Sequence, residues 1–267
     1  MHMRLKKWAR PELAACPFYV EPRPHGAYGA PGPELAAFRN TWKRRFPNPD
    51  APLHLELGCG KGVSTSRMIA DHPEINYLIC DLSPGVLGVA RRNIIRACGE
   101  DVSNVVILLT DIAYIGSLFG EEDLADRIYI HFCNPWTERT RQEKRRLTHP
   151  RQLLQYRDLL RPEGEIWFKT DDETLFEDSR VYFDLCGFRC IYLTRNLHAS
   201  GFQPNYITEH EQRFMEQGIP IRFGIFRMTG EAPSFDPTRF RLTPGLRKAT
   251  LAKLDAETEL DSRMHIE

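Results

Sequence analysis

Residues 55–62 read Leu-Glu-Leu-Gly-Cys-Gly-Lys-Gly, a carboxylate set two positions before three alternating glycines. Glycines at that spacing let the backbone approach a ligand, and the acid at Glu56 decides which charge the ligand can carry. A dinucleotide-binding turn spaces its glycines G-x-G-x-x-G and offers a helix N-terminus to pyrophosphate. A carboxylate in the approach repels phosphate and attracts a cation. The amino-acid end of S-adenosylmethionine carries a suitable ammonium group. Glu56, Gly58, Gly60 and Gly62 are therefore expected to bind that cofactor, and the chemistry to be methyl transfer.

Further polar residues fall where apolar runs stop. Asp81 comes about 20 residues after the glycine turn, the separation expected of an acid that grips ribose hydroxyls. Thr110-Asp111-Ile112 places an acid and an apolar neighbour where an adenine amino group and ring face could be met. Cys133-Asn134-Pro135-Trp136 combines an amide, a rigid proline and a large aromatic, suited to the wall of a base pocket. Asp171 ends the run Phe168-Lys169-Thr170 beside the same cleft. Each has a plainer reading too: Asp81 and Asp171 as helix-capping acids, Asp111 as a loop acid, Asn134–Trp136 as a turn with a buried tryptophan. Thr208-Glu209-His210-Glu211 has the form of a capping box, which does not prevent the same residues from meeting substrate.

Positioning such residues requires strands that end at one edge. Apolar runs at 53–57, 76–80, 104–109, 127–133 and 164–169 alternate with helical patterns near 63–71, 84–97, 148–160 and 173–186. That alternation predicts right-handed crossovers and a mostly parallel sheet with helices on both faces. Two further runs, 188–194 and 220–228, flank a short helix at 208–217. Residues 1–50 read as a basic, proline- and glycine-rich N-terminal arm with a helix at 34–46, residues 51–228 as the catalytic domain, and 229–267 as a C-terminal tail.

The 267 residues carry no formal net charge, so the bulk composition makes no case for nucleic acid. The distribution says more. Basic clusters occur at Arg4, Lys6, Lys7 and Arg10, at Arg39, Lys43, Arg44 and Arg45, and at Arg139, Arg141, Lys144, Arg145, Arg146 and Arg151. The third follows the candidate base pocket directly, which suits a nucleotide within a polymer. Seven cysteines without a C-x-x-C pair argue against a disulfide framework and a zinc ribbon. His131, His149, His198 and His210 are too scattered to suggest a metal. No apolar run nears the ~20 residues of a membrane span, and no signal-peptide core is visible, so a cytoplasmic location is expected.

Taken in order, LELGCGKG, Asn134-Pro135-Trp136 followed by EKRRLTHP at 143–150, KTD at 169–171 and TEHEQRFMEQGIPI at 208–221 resemble the bacterial tRNA (guanine-N7-)-methyltransferase family. The resemblance spans roughly 53–228 and implies a doubly wound α/β fold of the class I methyltransferase (Rossmann-like) type. It implies a seven-stranded, mostly parallel sheet in the order 3-2-1-4-5-7-6 with the seventh strand antiparallel. It further implies transfer of a methyl group from S-adenosylmethionine to N7 of a guanosine in the variable loop of tRNA. By position, Glu56, Asp81 and Asp111 would bind cofactor and Asn134 would lie beside the methyl donor. Glu138, Asp171, Thr208 and Glu211 would contact substrate, and Arg139, Arg141, Lys144 and Arg145 would hold RNA.

Two positions depart from that family, which usually has an aspartate where Asn134 stands and a lysine near Glu138. The residues also accommodate a methyltransferase of the same fold acting on another RNA or a small molecule. They equally accommodate an RNA-binding module without turnover.

Overall fold

In the computed structural model, residues 6–22, 33–137, 140–231, 233, 235–237 and 239–264 are described. A short helix α1 (Ala9–Ala14) and a two-residue strand β1 (Tyr19–Val20) come first. Then β2 (Leu53–Leu57), α2 (Val63–Asp71), β3 (Asn76–Asp81), α3 (Pro84–Cys98), β4 (Val105–Leu109) and β5 (Ala125–His131) alternate. They are followed by α4 (Pro150–Leu159), β6 (Leu160–Thr170), α5 (Glu173–Leu185), β7 (Phe188–Thr194), α6 (Glu209–Glu216), β8 (Arg222–Met228) and α7 (Pro244–Met264).

The strands form one sheet in the order β1-β4-β3-β2-β5-β6-β8-β7. All neighbours are parallel except the pairs that β8 makes with β6 and β7. Without β1 the order is the expected 3-2-1-4-5-7-6. The eighth strand is a correction: β1 pairs Tyr19 with Ile107 and Val20 with Leu108 at the sheet edge. Two residues carry no periodicity, so a strand this short cannot be seen in sequence.

The central strand β2 is buried at every position, as befits a parallel strand covered on both faces. Leu55 pairs with Leu78 on one side and Ile128 on the other. One core layer gathers Leu55, Leu57, Phe168, Phe176 and Phe183 with Tyr156 and Trp42. The other gathers Met68, Ile79, Leu87 and Ile94 with Leu13 of α1. Helix starts follow local chemistry: Asp172 accepts from the Leu175 amide at 2.6 Å, and Pro84 opens α3.

The helix expected over 34–46 is instead two 3₁₀ turns, Pro33–Phe38 and Lys43–Arg45. A long-range anchor overrides the local pattern: the Asp123 carboxylate takes the amides of Asn40 (2.5 Å) and Trp42 (2.9 Å), and Trp42 is buried. The N-terminal segment also packs on the domain, with the Arg92 guanidinium 3.5 Å from the Trp8 ring centre and Glu12 paired to Arg91 and Arg92. At the other end, α7 lies against α5 through Arg247–Asp178 (2.6 Å), Arg180–Asp255 (2.7 Å) and Lys253–Asp184 (3.1 Å). The segment expected as a tail thus ends in a docked helix.

Candidate active site

The carboxyl ends of β2, β3, β4, β5 and β6 meet at one edge of the sheet, where open α/β folds bind ligands. After β2 the chain turns through Gly58 (φ 81°), Gly60 (φ 55°) and Gly62 (φ 63°), all in the left-handed region. At Gly62 a side chain would also run into Ala90 of α3, 3.0 Å from an added Cβ. Gly60 has open space instead, with no atom within 4 Å of such a Cβ, so a ligand can lie against its backbone.

Glu56 ends inside the protein at 3% exposure. Thr65 of α2 donates a hydrogen bond to its Oε2, and His131 Nδ1 stands 3.6 Å from its Oε1. Burial drives the His131 pKa below its ordinary value, so the ring is neutral at neutral pH. Among the described residues no lysine or arginine lies within 4 Å of Glu56. A buried carboxylate without a cation is costly, and this one stands two residues before the glycine turn.

Asp81 binds the glycine turn directly, accepting from the Gly60 amide at 3.2 Å and from Ser83 at 3.0 Å. Burial raises its pKa, opposed by these amides. Asp111 is exposed at the end of β4 and accepts from Ala113 (2.9 Å), so it caps the following 3₁₀ turn.

Asn134 is also exposed, and its Oδ1 accepts from the Trp136 amide at 3.1 Å. It is flanked by Phe132 (φ 52°) and Trp136 (φ 47°), two bulky residues in a left-handed conformation that costs about 1–3 kcal/mol each. Neighbours hold that strain. Phe132 stacks on His210 and Phe214 of α6, with ring centres 6.2 and 6.0 Å away. Arg146, 1% exposed, donates to the Pro135 carbonyl at 2.7 Å and pairs with Asp178 at 2.8 Å.

Arg146 therefore corrects its reading as one of a row of surface cations. Arg141, Lys144 and Arg145 around it do remain exposed, and Arg145 lies over the Trp136 ring at 5.2 Å. Glu138 and Arg139 lie outside the described residues, as does Arg4. The second basic cluster is elsewhere: Arg44 pairs with Glu122 (3.0 Å) just before β5 begins, at the opposite end of the strands from the cleft.

The far wall comes from β6 and α6. Asp171 is half-buried and its pKa is raised by burial, while its carbonyl accepts from Arg222 at 2.8 Å. Thr208 and Glu211 do form the capping box: Thr208 Oγ1 accepts from the Glu211 amide at 3.0 Å. Glu211, expected to contact substrate, is wholly buried and paired within the protein. Its oxygens take Lys169 Nζ (3.2 Å), Asn205 Nδ2 (2.9 Å) and His198 Nε2 (3.3 Å). Burial lowers the Lys169 pKa, and Glu211 opposes that shift. At the surface, Lys61 of the glycine turn reaches Glu209 at 2.6 Å and joins α6 to the turn.

Sequence reasoning assigns no role in the cleft to Lys169, His131 or Lys61, and reads Arg146 only as one of a row of cations. A lysine inside the apolar run 164–169 was the one available signal; the others needed their partners to be seen. Among the described residues no cluster of three His, Cys, Asp or Glu could hold a metal, and no helix is long and apolar enough to cross a membrane.

A seven-strand order of 3-2-1-4-5-7-6, with a glycine turn after its first strand and polar residues at the following strand ends, defines a class I methyltransferase. A family model described as "Putative methyltransferase" matches residues 50–223. The chain is 47% identical over 229 residues to the tRNA (guanine-N(7)-)-methyltransferase of Clostridium perfringens (strain SM101 / Type A), covering 84% of this chain and 98% of that one. It is 46% identical over 229 residues to the enzyme of the same name from Clostridium beijerinckii, with the same coverage. A solved 16S rRNA methyltransferase superposes with a TM-score of 0.49 at 8% identity, over 76% of this chain and 95% of its own. The chain belongs to the tRNA (guanine-N(7)-)-methyltransferase family.

Proposed function

We propose that the protein uses S-adenosylmethionine to methylate N7 of a guanosine in the variable loop of tRNA, in the cytoplasm. The observation that carries the reading is Glu56, a buried carboxylate with a hydroxyl and a neutral imidazole beside it and, among the described residues, no lysine or arginine within 4 Å. The ammonium of the cofactor supplies the missing charge, and the open backbone at Gly60 accommodates its methionine end. Gly58 and Gly62 shape that turn, Asp81 grips the ribose hydroxyls, and Asp111 offers an acceptor to the adenine amino group.

S-adenosylmethionine brings an electrophilic methyl on a sulfonium sulfur, and the guanine N7 lone pair forms the new C–N bond as the C–S bond breaks. N7 carries no proton, so the residues need not supply a base; their work is alignment and charge stabilisation. Asn134 is the catalytic residue: its carbonyl oxygen, steadied by the Trp136 amide, has a second lone pair for the positive charge developing on the purine. A carboxylate would stabilise that charge more strongly, so Asn134→Asp is expected to raise turnover. Asp171 and Thr208 line the guanosine side, with Glu211 supporting α6 from beneath. Arg141, Lys144 and Arg145 meet phosphate. On the resemblance alone, Arg139 joins them and Glu138 lies on the substrate side.

The test is nucleoside mass spectrometry of unmethylated tRNA incubated with protein and S-adenosylmethionine. Formation of 7-methylguanosine is expected. Its absence, with S-adenosylhomocysteine still bound in calorimetry, would overturn the substrate assignment and leave the cofactor assignment standing.

A further inference from the structure

The face of the sheet turned toward α2 carries a cavity of about 280 Å³ that none of the roles above uses. Its walls are Met68 of α2, Tyr77, Tyr129, Trp167 and Phe223 of the sheet, and Phe202 of the segment before α6. Arg127 and His131, both lining it, are four residues apart on β5, about 13 Å along the strand. No residue of the glycine turn lines it, nor do Asp81, Asp111, Asn134 or Asp171.

Its roof is pinned. The Tyr206 hydroxyl donates to Asp71 at 2.9 Å, and the Tyr206 carbonyl accepts from Lys169 at 3.3 Å. The side chains lining the cavity are mostly satisfied within the protein. Lys169 is paired with Glu211, and Arg127 with Glu165 at 3.3 Å while it lies 4.0 Å over the Trp167 ring. Two are not fully so: Arg127 Nε has no hydrogen-bond partner among the described residues, and His131, its side chain 5% exposed, has none at either ring nitrogen, with Nδ1 held 3.6 Å from Glu56. Buried polar atoms left in that state are rare and call for an explanation.

We propose that this cavity is a second ligand site, taking one uncharged, fused aromatic heterocycle whose polar edge pairs with His131. The aromatic walls suit a flat ring, which gains edge and face contacts with Tyr129, Trp167 and Phe202. The ligand is uncharged because the cations at both ends are already neutralised. Its polar edge carries a donor, because Nδ1 stands beside the Glu56 carboxylate and Nε2 is then the acceptor left on a neutral imidazole. An occupant would brace the roof from below and with it the start of α6, so the site is placed to influence the cleft without belonging to it.

Benzimidazole is the probe, titrated calorimetrically into the full chain with S-adenosylhomocysteine in saturating amounts so that any adenine pocket is filled. One equivalent is expected to bind. His131→Phe keeps the ring and removes the polar edge, and should weaken binding about tenfold. Ile75→Trp fills the end remote from Glu56 and should abolish binding; if His131→Phe fails to fold by circular dichroism, this variant decides alone. No saturable binding to the unmutated chain at millimolar probe overturns the proposal, as does binding that Ile75→Trp leaves unchanged. Should S-adenosylhomocysteine itself not bind, the cofactor assignment falls, and the same titration without it still tests the cavity.

Discussion

Two buried glutamates flank the cleft and have opposite surroundings. Glu211, at the start of α6, is enclosed by Lys169, Asn205 and His198, all within 3.3 Å. Glu56, at the end of β2, has Thr65 and a neutral His131. The first carboxylate is compensated by the fold and so serves as structure. The second has no lysine or arginine within 4 Å among the described residues, and under the proposed function the ligand's ammonium compensates it. Burial alone does not separate the two roles; the charges around each do.

The largest test acts on the compensated side. Glu211→Ala leaves Lys169 as an unpaired buried cation, which should cost about 3–5 kcal/mol of folding stability. Urea unfolding measures this; a loss below 1 kcal/mol would mean the pair is not enclosed. On the other side, Glu56→Gln keeps shape and removes charge, and should weaken S-adenosylhomocysteine binding about 100-fold. The same variant should melt at or above the temperature of the unliganded parent, since it relieves an uncompensated charge. A large fall in melting temperature would show that Glu56 is structural after all.

Acid should blur the contrast. The His131 pKa lies below 6.5, so the ring stays neutral above that pH and takes a proton as pH falls through its depressed value. His131 then supplies Glu56 with an internal cation that competes with the ligand's ammonium, although nearby Lys169 and Glu211 also feel the change. Affinity for S-adenosylhomocysteine should fall about tenfold below that point and be flat above it, and His131→Phe should remove the step. The smallest effect is at the surface. Lys61 and Glu209 are each about 40% exposed, so Lys61→Ala should change stability by about 0.2–1 kcal/mol and chiefly speed release of the ligand, read by stopped-flow.

How far sequence alone could see depended on distance along the chain. Strands and helices of the central domain follow from local periodicity, and the glycine turn from residue types within eight positions. Thr208 and Glu211 were readable as a capping box because that motif closes within one helical turn. Arg146 was not, since it looks like its exposed neighbours Lys144 and Arg145 until Asp178 and the Pro135 carbonyl are brought to it. The 34–46 segment failed for the same reason, its turns being set by Asp123 some 80 residues away.

The sequence by itself determined a parallel α/β sheet, the acid and glycines of its first turn, and the polar residues at successive strand ends. Those properties are local: hydrophobic period, glycine conformational range and the charge of a side chain. Tertiary structure decided which charges became structural, that β1 joins the edge and α7 docks on α5, and that Glu211 is paired with Lys169 while Glu56 has Thr65 and His131 beside it. Compensation of a buried charge is a matter of distance in space, and neighbours in space are set only when the chain has folded.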